Sequence, residues 1–389
     1  MDRAALHSVC RRFRSFLLLM ALAVQTTAAV AQLSTQDHLE APGFWPTKSQ
    51  LSRKDFAGPE ACARCHSAKS AAQRETPMAR SLMPAATADA LHSNPTLTFS
   101  VGEFKYRIDT GANQPEYSVT NGNQRISYPL VWAFGTGRAG QSYLFKNAEG
   151  GFYEARASYF SNLKALDFTP GRALPSPSSV EEAMYRPVIQ VEIQQCFACH
   201  STASTLGGRF DEKHLIQGVR CEACHGPGAS HVSMESANAG KRQTAGHEIF
   251  NPEKLSPPDA VDFCGACHGT LWDIRLAGIK GVSTARSAPY RLVTSKCWGN
   301  GDSRLVCAAC HDPHQQLETN AVAYDRICLS CHIGSPGEKT STGHPGAACP
   351  KAVSNCTDCH MQKVYIPEMH ANFTDHRIRI VKLGEAFPE

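Results

Sequence analysis

Beyond its N-terminal segment the chain has no apolar run approaching the about 20 residues that a membrane-spanning helix needs, so the mature protein is expected to be soluble. It also lacks a basic run or stripe, which argues against a nucleic-acid partner. Charge imbalance is missing too. The 39 basic residues face 35 acidic ones, and 35 face 34 once the four arginines and one aspartate ahead of Gln32 are set aside. Only the far N-terminus departs from this pattern. Arg3, Arg11, Arg12 and Arg14 form a basic lead, Phe16 to Val24 is apolar, and Ala29-Val30-Ala31 is a small-x-small cleavage site, so residues 1–31 read as an export signal. Arg14 stands where a twin-arginine signal wants an apolar residue, so the unfolded export route is expected. Cys10 precedes the apolar run and is not a lipidation site. The expected location is periplasmic or extracellular, an oxidising compartment.

What the chain has in quantity is cysteine, 17 in all. Fourteen fall into seven copies of Cys-x-x-Cys-His: Cys62, Cys65 and His66; Cys196, Cys199 and His200; Cys221, Cys224 and His225; Cys264, Cys267 and His268; Cys307, Cys310 and His311; Cys328, Cys331 and His332; Cys356, Cys359 and His360. Two thiols three residues apart on one helical turn can add to the two vinyl groups of a haem. The next residue, His, then lies beneath the iron as its proximal ligand. A zinc ribbon needs no His after every second Cys, and seven pairs do not divide into four-ligand sites. A disulfide framework would not repeat one spacing seven times, and a chain of 389 residues needs no staples. The motifs imply seven covalently attached c-type haems. Two propionates on each, against at most one net positive charge on ferric iron, would make the loaded protein acidic despite a formal charge of +4.

The motifs are unevenly spaced. The first stands alone in an N-terminal segment, residues 32–95, and about 130 residues pass before the other six crowd into a region expected to span 196–389. There the chain offers only about 27 residues per motif, too few for an ordinary apolar core around each, so the porphyrins themselves are expected to be the core. Short helices and loops wrapped around a haem stack are the expected fold, with an antiparallel β-sheet inserted at 96–170 and a Pro/Ser-rich linker at 171–195. Within the insertion Leu97, Phe99 and Val101 alternate, as do Phe104, Tyr106 and Ile108, and Ile126, Tyr128 and Leu130. Asn121-Gly122 and Gly150-Gly151 are hairpin signals, and about five strands over 96 to 160 follow. Gly135-Thr136-Gly137-Arg138-Ala139-Gly140 matches G-x-G-x-x-G. A strand-like Ser142-Tyr143-Leu144-Phe145 follows where a nucleotide site needs a helix, so a glycine-rich β-turn is preferred.

Sixth ligands can be counted. Apart from His7 and the motif histidines, nine histidines remain: His38, His92, His214, His231, His247, His314, His344, His370 and His376. The distal positions are assigned to Met78, His214, His231, His314, His344, His370 and His376, which flank motifs or lie in the tail, leaving His38, His92 and His247 spare. His314 and His231 follow His311 and His225 too closely to pass round their own macrocycles, so each is expected to ligate a neighbouring haem. Met78, after a helix expected to break at Pro77, would raise the potential of its haem relative to two imidazoles. An apolar contact on the porphyrin face is its other reading. Cys297 and Cys349 are left over, a pair expected to form a disulfide, with a reactive thiol at Cys297 as the alternative.

Several stretches carry a family resemblance. Gly58-Pro59-Glu60-Ala61-Cys62, Cys221-Glu222-Ala223-Cys224-His225-Gly226-Pro227-Gly228 with His231, Cys310-His311-Asp312-Pro313-His314 and Thr374-Asp375-His376-Arg377-Ile378 are similar to the multihaem cytochrome family. That family includes the tetrahaem electron acceptor of hydroxylamine oxidoreductase and, more distantly, hydroxylamine oxidoreductase and pentahaem nitrite reductase. The resemblance covers most of Phe56 to Ile380 and implies haems in close parallel or perpendicular pairs, mostly with two His ligands, passing single electrons. Related modules in larger proteins are followed by tetratricopeptide repeats, and none is expected before Glu389. Nitrite reductases mark their active haem with Lys in place of the motif His, whereas all seven motifs here end in His. No residue is identified with the tyrosine that crosslinks the catalytic haem of hydroxylamine oxidoreductase. Two readings follow. One is an electron carrier whose partners are redox proteins, either other cytochromes or a quinol-linked membrane complex. The other is an oxidoreductase acting on a small nitrogen or sulfur compound at one open haem. The surplus of ligands favours the carrier.

Overall fold

The computed structural model describes residues 52–111, 114–174, 176–207, 209–237, 249–298, 303–332, 349, 351–382 and 384–389. The first motif opens on helix α1 (Pro59–Ala63), with Pro59 at its first position, where a missing N–H costs nothing, after Gly58 at φ +84°. Helix α2 (Ser67–Arg74) follows and ends three residues before Pro77.

An antiparallel sheet comes next. Its strands are β1 (Leu82–Pro84), β2 (Thr96–Val101), β3 (Phe104–Asp109), β4 (Glu116–Asn121), β5 (Gln124–Gly137), β6 (Gly140–Lys146), β7 (Phe152–Ala155), β8 (Ala157–Phe160) and β9 (Ala165–Phe168). Eight of these fall between Thr96 and Phe168, where about five were expected. The difference lies in short strands and in β5, whose 14 residues pair with β4 through the first half and with β6 and β1 through the second. Register shifts after Leu130 and Phe134 mark bulges that let one strand serve both partners. The β4–β5 hairpin turns on Gly122 and Asn123, one residue beyond the expected pair, with Gly122 at φ +55°. The G-x-G-x-x-G stretch forms the β5–β6 turn, in which Gly137 pairs with Gly140 and a Cβ on Gly135 would lie 2.8 Å from the Gly140 carbonyl oxygen. No helix opens there.

The segment 171–195, read from sequence as a linker, is corrected by the structure. It contains helix α3 (Val180–Met184), strand β10 (Tyr185–Pro187) and the first turns of helix α4 (Gln190–His200). The Ser179 hydroxyl accepts the Glu182 N–H to start α3, and β10 completes the sheet edge against β7. A five-residue helix is too short to show periodicity, which is why the Pro/Ser run dominated the reading. One face of the sheet buries Tyr106, Ile108, Tyr117, Val119, Leu130, Tyr143 and Phe145 with Val180 and Met184 of α3. The Tyr117 hydroxyl donates to the Met184 carbonyl at 3.1 Å. A second cluster docks α4, whose Ile193 and Phe197, four residues apart on one face, pack with Leu82, Trp132 and Leu144.

Beyond the sheet, two small antiparallel ladders (Ser201–Thr202 with Ile216–Gln217, Thr205–Leu206 with Arg209–Phe210) lead into helices and turns: α5 (Cys221–His225), α6 (Ala229–Ala237), α7 (Pro257–His268), α8 (Leu271–Leu276), α9 (Ala288–Val293), α10 (Cys307–Cys310), α11 (Ala321–His332) and α12 (Cys356–His360). A hairpin of β11 (Lys363–Ile366) and β12 (Ala371–Thr374) closes this part. Its apolar clusters are small, with three buried residues apiece: Val261, Leu292 and Trp298 in one, Ala285, Val364 and Ile366 in the other. No described helix is long and apolar enough to cross a membrane.

Candidate haem centres

Helices α4, α5, α7, α11 and α12 each end on a motif histidine, so both cysteines of each motif share a turn and the imidazole emerges at the helix end. The cysteines stand here as thiols, in place of the thioethers that haem attachment would create. Their contacts pair the motifs. Cys62 hydrogen-bonds with Cys221, Cys264 with Cys307, and Cys328 with Cys356. In the first pair the shared proton pushes Cys62 up and Cys221 down to about 6, and in the second Cys264 goes up and Cys307 down. Electrostatic contacts extend the series, with Cys224 close to Cys264 and Cys310 close to Cys328. The second motif stands to one side, where the Cys199 thiol meets the Ala266 carbonyl at 3.5 Å and His200 lies near His268.

The imidazoles are oriented as metal-ligating histidines usually are, with one ring nitrogen tied down so that the other is free. Nδ1 of His200 faces the Ser81 carbonyl at 3.1 Å, that of His225 the Phe250 carbonyl at 2.9 Å, and that of His360 the Arg379 carbonyl at 3.1 Å. His376 does the same with the Thr374 carbonyl at 2.9 Å, and His314 with the Asp312 carboxylate at 3.0 Å. Burial pushes His200 and His376 below their ordinary value, so both stand neutral, the form that ligates a metal.

Two ring pairs test whether iron fits. The centroids of His225 and His314 lie 6.0 Å apart and those of His311 and His376 lie 6.2 Å apart. A metal–imidazole bond is about 2 Å and the ring centre lies about 1 Å further, so two imidazoles on one metal have centroids about 6 Å apart. The donor set fits the group. His314 neighbours the third motif's histidine, the two rings lying within 15° of parallel, and sits in a turn closed by the Gln315 N–H on the Asp312 carbonyl.

The other distal candidates fare differently. His231, on α6, has a buried Nδ1 without a hydrogen-bond partner. The His214 ring is held by Asp211 at 2.9 Å and is half exposed. Met78 is half-buried, its carbonyl accepting the N–H of Ser81 and of Val219. His370 is a correction. Its Nε2 is 2.8 Å from Asp167 Oδ2 and its ring packs edge-on against Phe160 at 4.7 Å, so it docks β12 onto the sheet. The Nε2 of His92 lies 2.7 Å from the Ala86 carbonyl oxygen. His344, His38 and His247 lie outside the described residues. No disulfide joins Cys297, half-buried, to exposed Cys349, contrary to expectation. Their positions on separate segments carry no signal in a sequence.

The sequence reading missed the residues that hold these histidines in place. Arg291 on α9 and Asp375 form a fully buried bidentate pair, Nε to Oδ1 at 2.7 Å and Nη2 to Oδ2 at 2.9 Å, beside His376. The Ser295 hydroxyl donates to the His376 carbonyl at 3.1 Å and accepts the Ile378 N–H at 2.8 Å. Glu222 and Asp325 are buried carboxylates at the joints between paired motifs.

Among known proteins, residues 173–226, which carry the second and third motifs, match the family described as cytochrome c554 and c-prime. One similar solved structure is the outer cell wall cytochrome OcwA, at 14% identity and a TM-score of 0.45, covering 84% of this chain and 80% of that one. No curated protein matches. The family match and the motifs together support a multihaem c-type cytochrome that binds haem covalently and transfers electrons.

Proposed function

We propose that the protein is an exported seven-haem cytochrome that conducts electrons between redox partner proteins, with no substrate of its own. Bound haem supplies one-electron chemistry, the iron cycling between its ferric and ferrous states. The chain's own residues do the rest. Seven complete motifs would hold the cofactors, and His314 and His376 would close the distal faces opposite His225 and His311. The single observation that carries this reading is that each of two non-motif imidazoles neighbours a motif imidazole, His314 by His225 and His376 by His311, at centroid separations of 6.0 and 6.2 Å, a spacing compatible with two imidazoles on one metal. The pairing of motifs supports conduction: first with third, fourth with fifth and sixth with seventh are joined through their first cysteines, the second touches the fourth, and electrostatic coupling relates third to fourth and fifth to sixth. Met78, His214, His231 and His344 remain the proposed partners of four other motifs, and with His370 committed to Asp167 the fifth is left to His38 or His247, which lie outside the described residues.

Export to the periplasm rests on the pattern of residues 1–31. Intact mass of the exported protein should exceed the polypeptide beginning at Gln32 by seven haem masses, and its oxidised low-temperature spectrum should be low-spin throughout. Six haems or fewer in matured protein would overturn the count. A native high-spin haem that takes up nitrite or hydroxylamine would replace the carrier with an enzyme.

A further inference from the structure

Two buried carboxylates occupy equivalent joints in different parts of the chain. Glu222, 2% exposed, is the first intervening residue of the third motif. Its Oε1 accepts the N–H of Ala57 at 2.8 Å and of Gly228 at 2.7 Å, and its Oε2 accepts that of Gly58 at 2.9 Å. Asp325, 5% exposed, lies on α11 three residues before Cys328. Its Oδ2 accepts the N–H of Asn355 at 2.7 Å and its Oδ1 that of Cys356 at 2.9 Å. Each side chain therefore reaches from one motif to the backbone that leads into the partner motif. Glu222 ties the third motif to the first, and Asp325 ties the sixth to the seventh. In both places the first cysteines of the two motifs touch. Glu222 raises the neighbouring Cys62 thiol electrostatically, and Asp325 does the same to Cys328 and Cys356.

Among the described residues no basic side chain pairs with either carboxylate: backbone N–H groups hold Glu222, and backbone N–H groups with the Cys356 thiol hold Asp325. The backbone N–H of Cys356, with that of Asn355, holds the Asp325 carboxyl below its ordinary value. Buried beside the paired sulfurs, that charge is screened far less than one on the surface. Adding an electron next to it is disfavoured. Local charge and hydrogen bonding are among the levers by which a protein sets a haem potential.

We propose that Glu222 and Asp325 are matched clamps, each locking one attachment motif onto its partner and placing a fixed negative charge beside the two haems so joined. They are positioning residues that also hold down the potentials of their own pairs. The inference rests on the motifs being haem sites, and the test separates the two. The exported full-length protein would be made as Glu222→Gln, Asp325→Asn and Glu222→Asp, and each would be weighed and titrated on an electrode under absorbance and low-temperature electron paramagnetic resonance.

With seven haems retained, Glu222→Gln should raise two midpoint potentials together by roughly a tenfold change in the reduction equilibrium, about 59 mV for one electron. Asp325→Asn should raise a different two. Glu222→Asp keeps the charge and should move the potentials much less than Glu222→Gln. Unmoved potentials in both neutral variants at full haem content would overturn the proposal, as would the same two haems moving in both. An equal shift in Glu222→Asp would overturn the charge half of it. Should Glu222→Gln fail to mature, Asp325→Asn and Glu222→Asp still decide. A wild-type mass lacking haem at Cys62 or Cys221 would instead defeat the underlying haem reading.

Discussion

At the scale of single residues, the chemistry that repeats is legible and the chemistry that is assembled from afar is not. The motif cysteines and histidines announce themselves because attachment needs a fixed local spacing. His314 could be assigned away from His311 because three residues cannot round a macrocycle, and its ring neighbours that of His225, the proposed partner. His370 misled because it sits in a tail rich in ligand-like residues, while its actual partner, Asp167, is 203 positions away in the chain. Glu222 was invisible for another reason: the residues between two motif cysteines carry no constraint from attachment itself. These placements make opposite forecasts. His314→Ala should turn one haem high-spin in the oxidised protein, since it removes an imidazole opposite His225. His370→Ala should leave the spin count untouched, because its Nε2 is already committed to a carboxylate. A new high-spin signal from the second variant, or none from the first, would reverse the assignments.

At the scale of elements, alternation found β3 and the start of β5, where one face is buried and the other wet. It missed β1 and β8 to β10, three or four residues each, and it misread α3, because so few residues leave no period to read. What joins these pieces is packing that only the folded chain reveals. Phe197 of α4 is fully buried, with ring centroids 5.7 Å from Trp132, 5.1 Å from Phe134 and 4.7 Å from Phe210. That helix carries the second motif, so the sheet is its mount. Phe197→Ala should cost about 3–5 kcal/mol, read as a lowered unfolding midpoint in denaturant with all haems attached. A change under about 1 kcal/mol would mean that α4 is held by its haem rather than by the sheet. Arg291→Met tests the other mount. Breaking one half of a buried ion pair costs about 3–5 kcal/mol, because Asp375 keeps its charge without a partner. Since Asp375 adjoins His376, the same variant should raise cyanide affinity at one haem by roughly 10- to 100-fold, the usual cost of losing an outer-shell support. Stability lost with ligation intact would restrict the pair to a structural role.

For the molecule as a whole, the two ways of burying apolar surface differ along the chain, and that difference predicts what haem removal does. Around the sheet, β2 to β6 and α3 close a core of aromatic and aliphatic side chains that owes nothing to a cofactor. Past α5 the described helices are short, with apolar clusters of only three buried residues each. Hydrophobic burial yields about 25 cal/mol per Å², while ordering each residue costs about 1–2 kcal/mol, so clusters of that size cannot hold the helices in place. Porphyrin faces would have to supply the missing surface, and axial bonds the missing crosslinks. Chain made without haem attachment should therefore divide: amides of residues 96–187 should stay protected in hydrogen exchange, while those of 257–360 exchange at near-unfolded rates. Restoring attachment should protect the second region and scarcely change the first. Uniform protection in the haem-free chain would show that the helices have a polypeptide core of their own, and the motif contacts would then reflect ordinary packing rather than an arrangement shaped around haems.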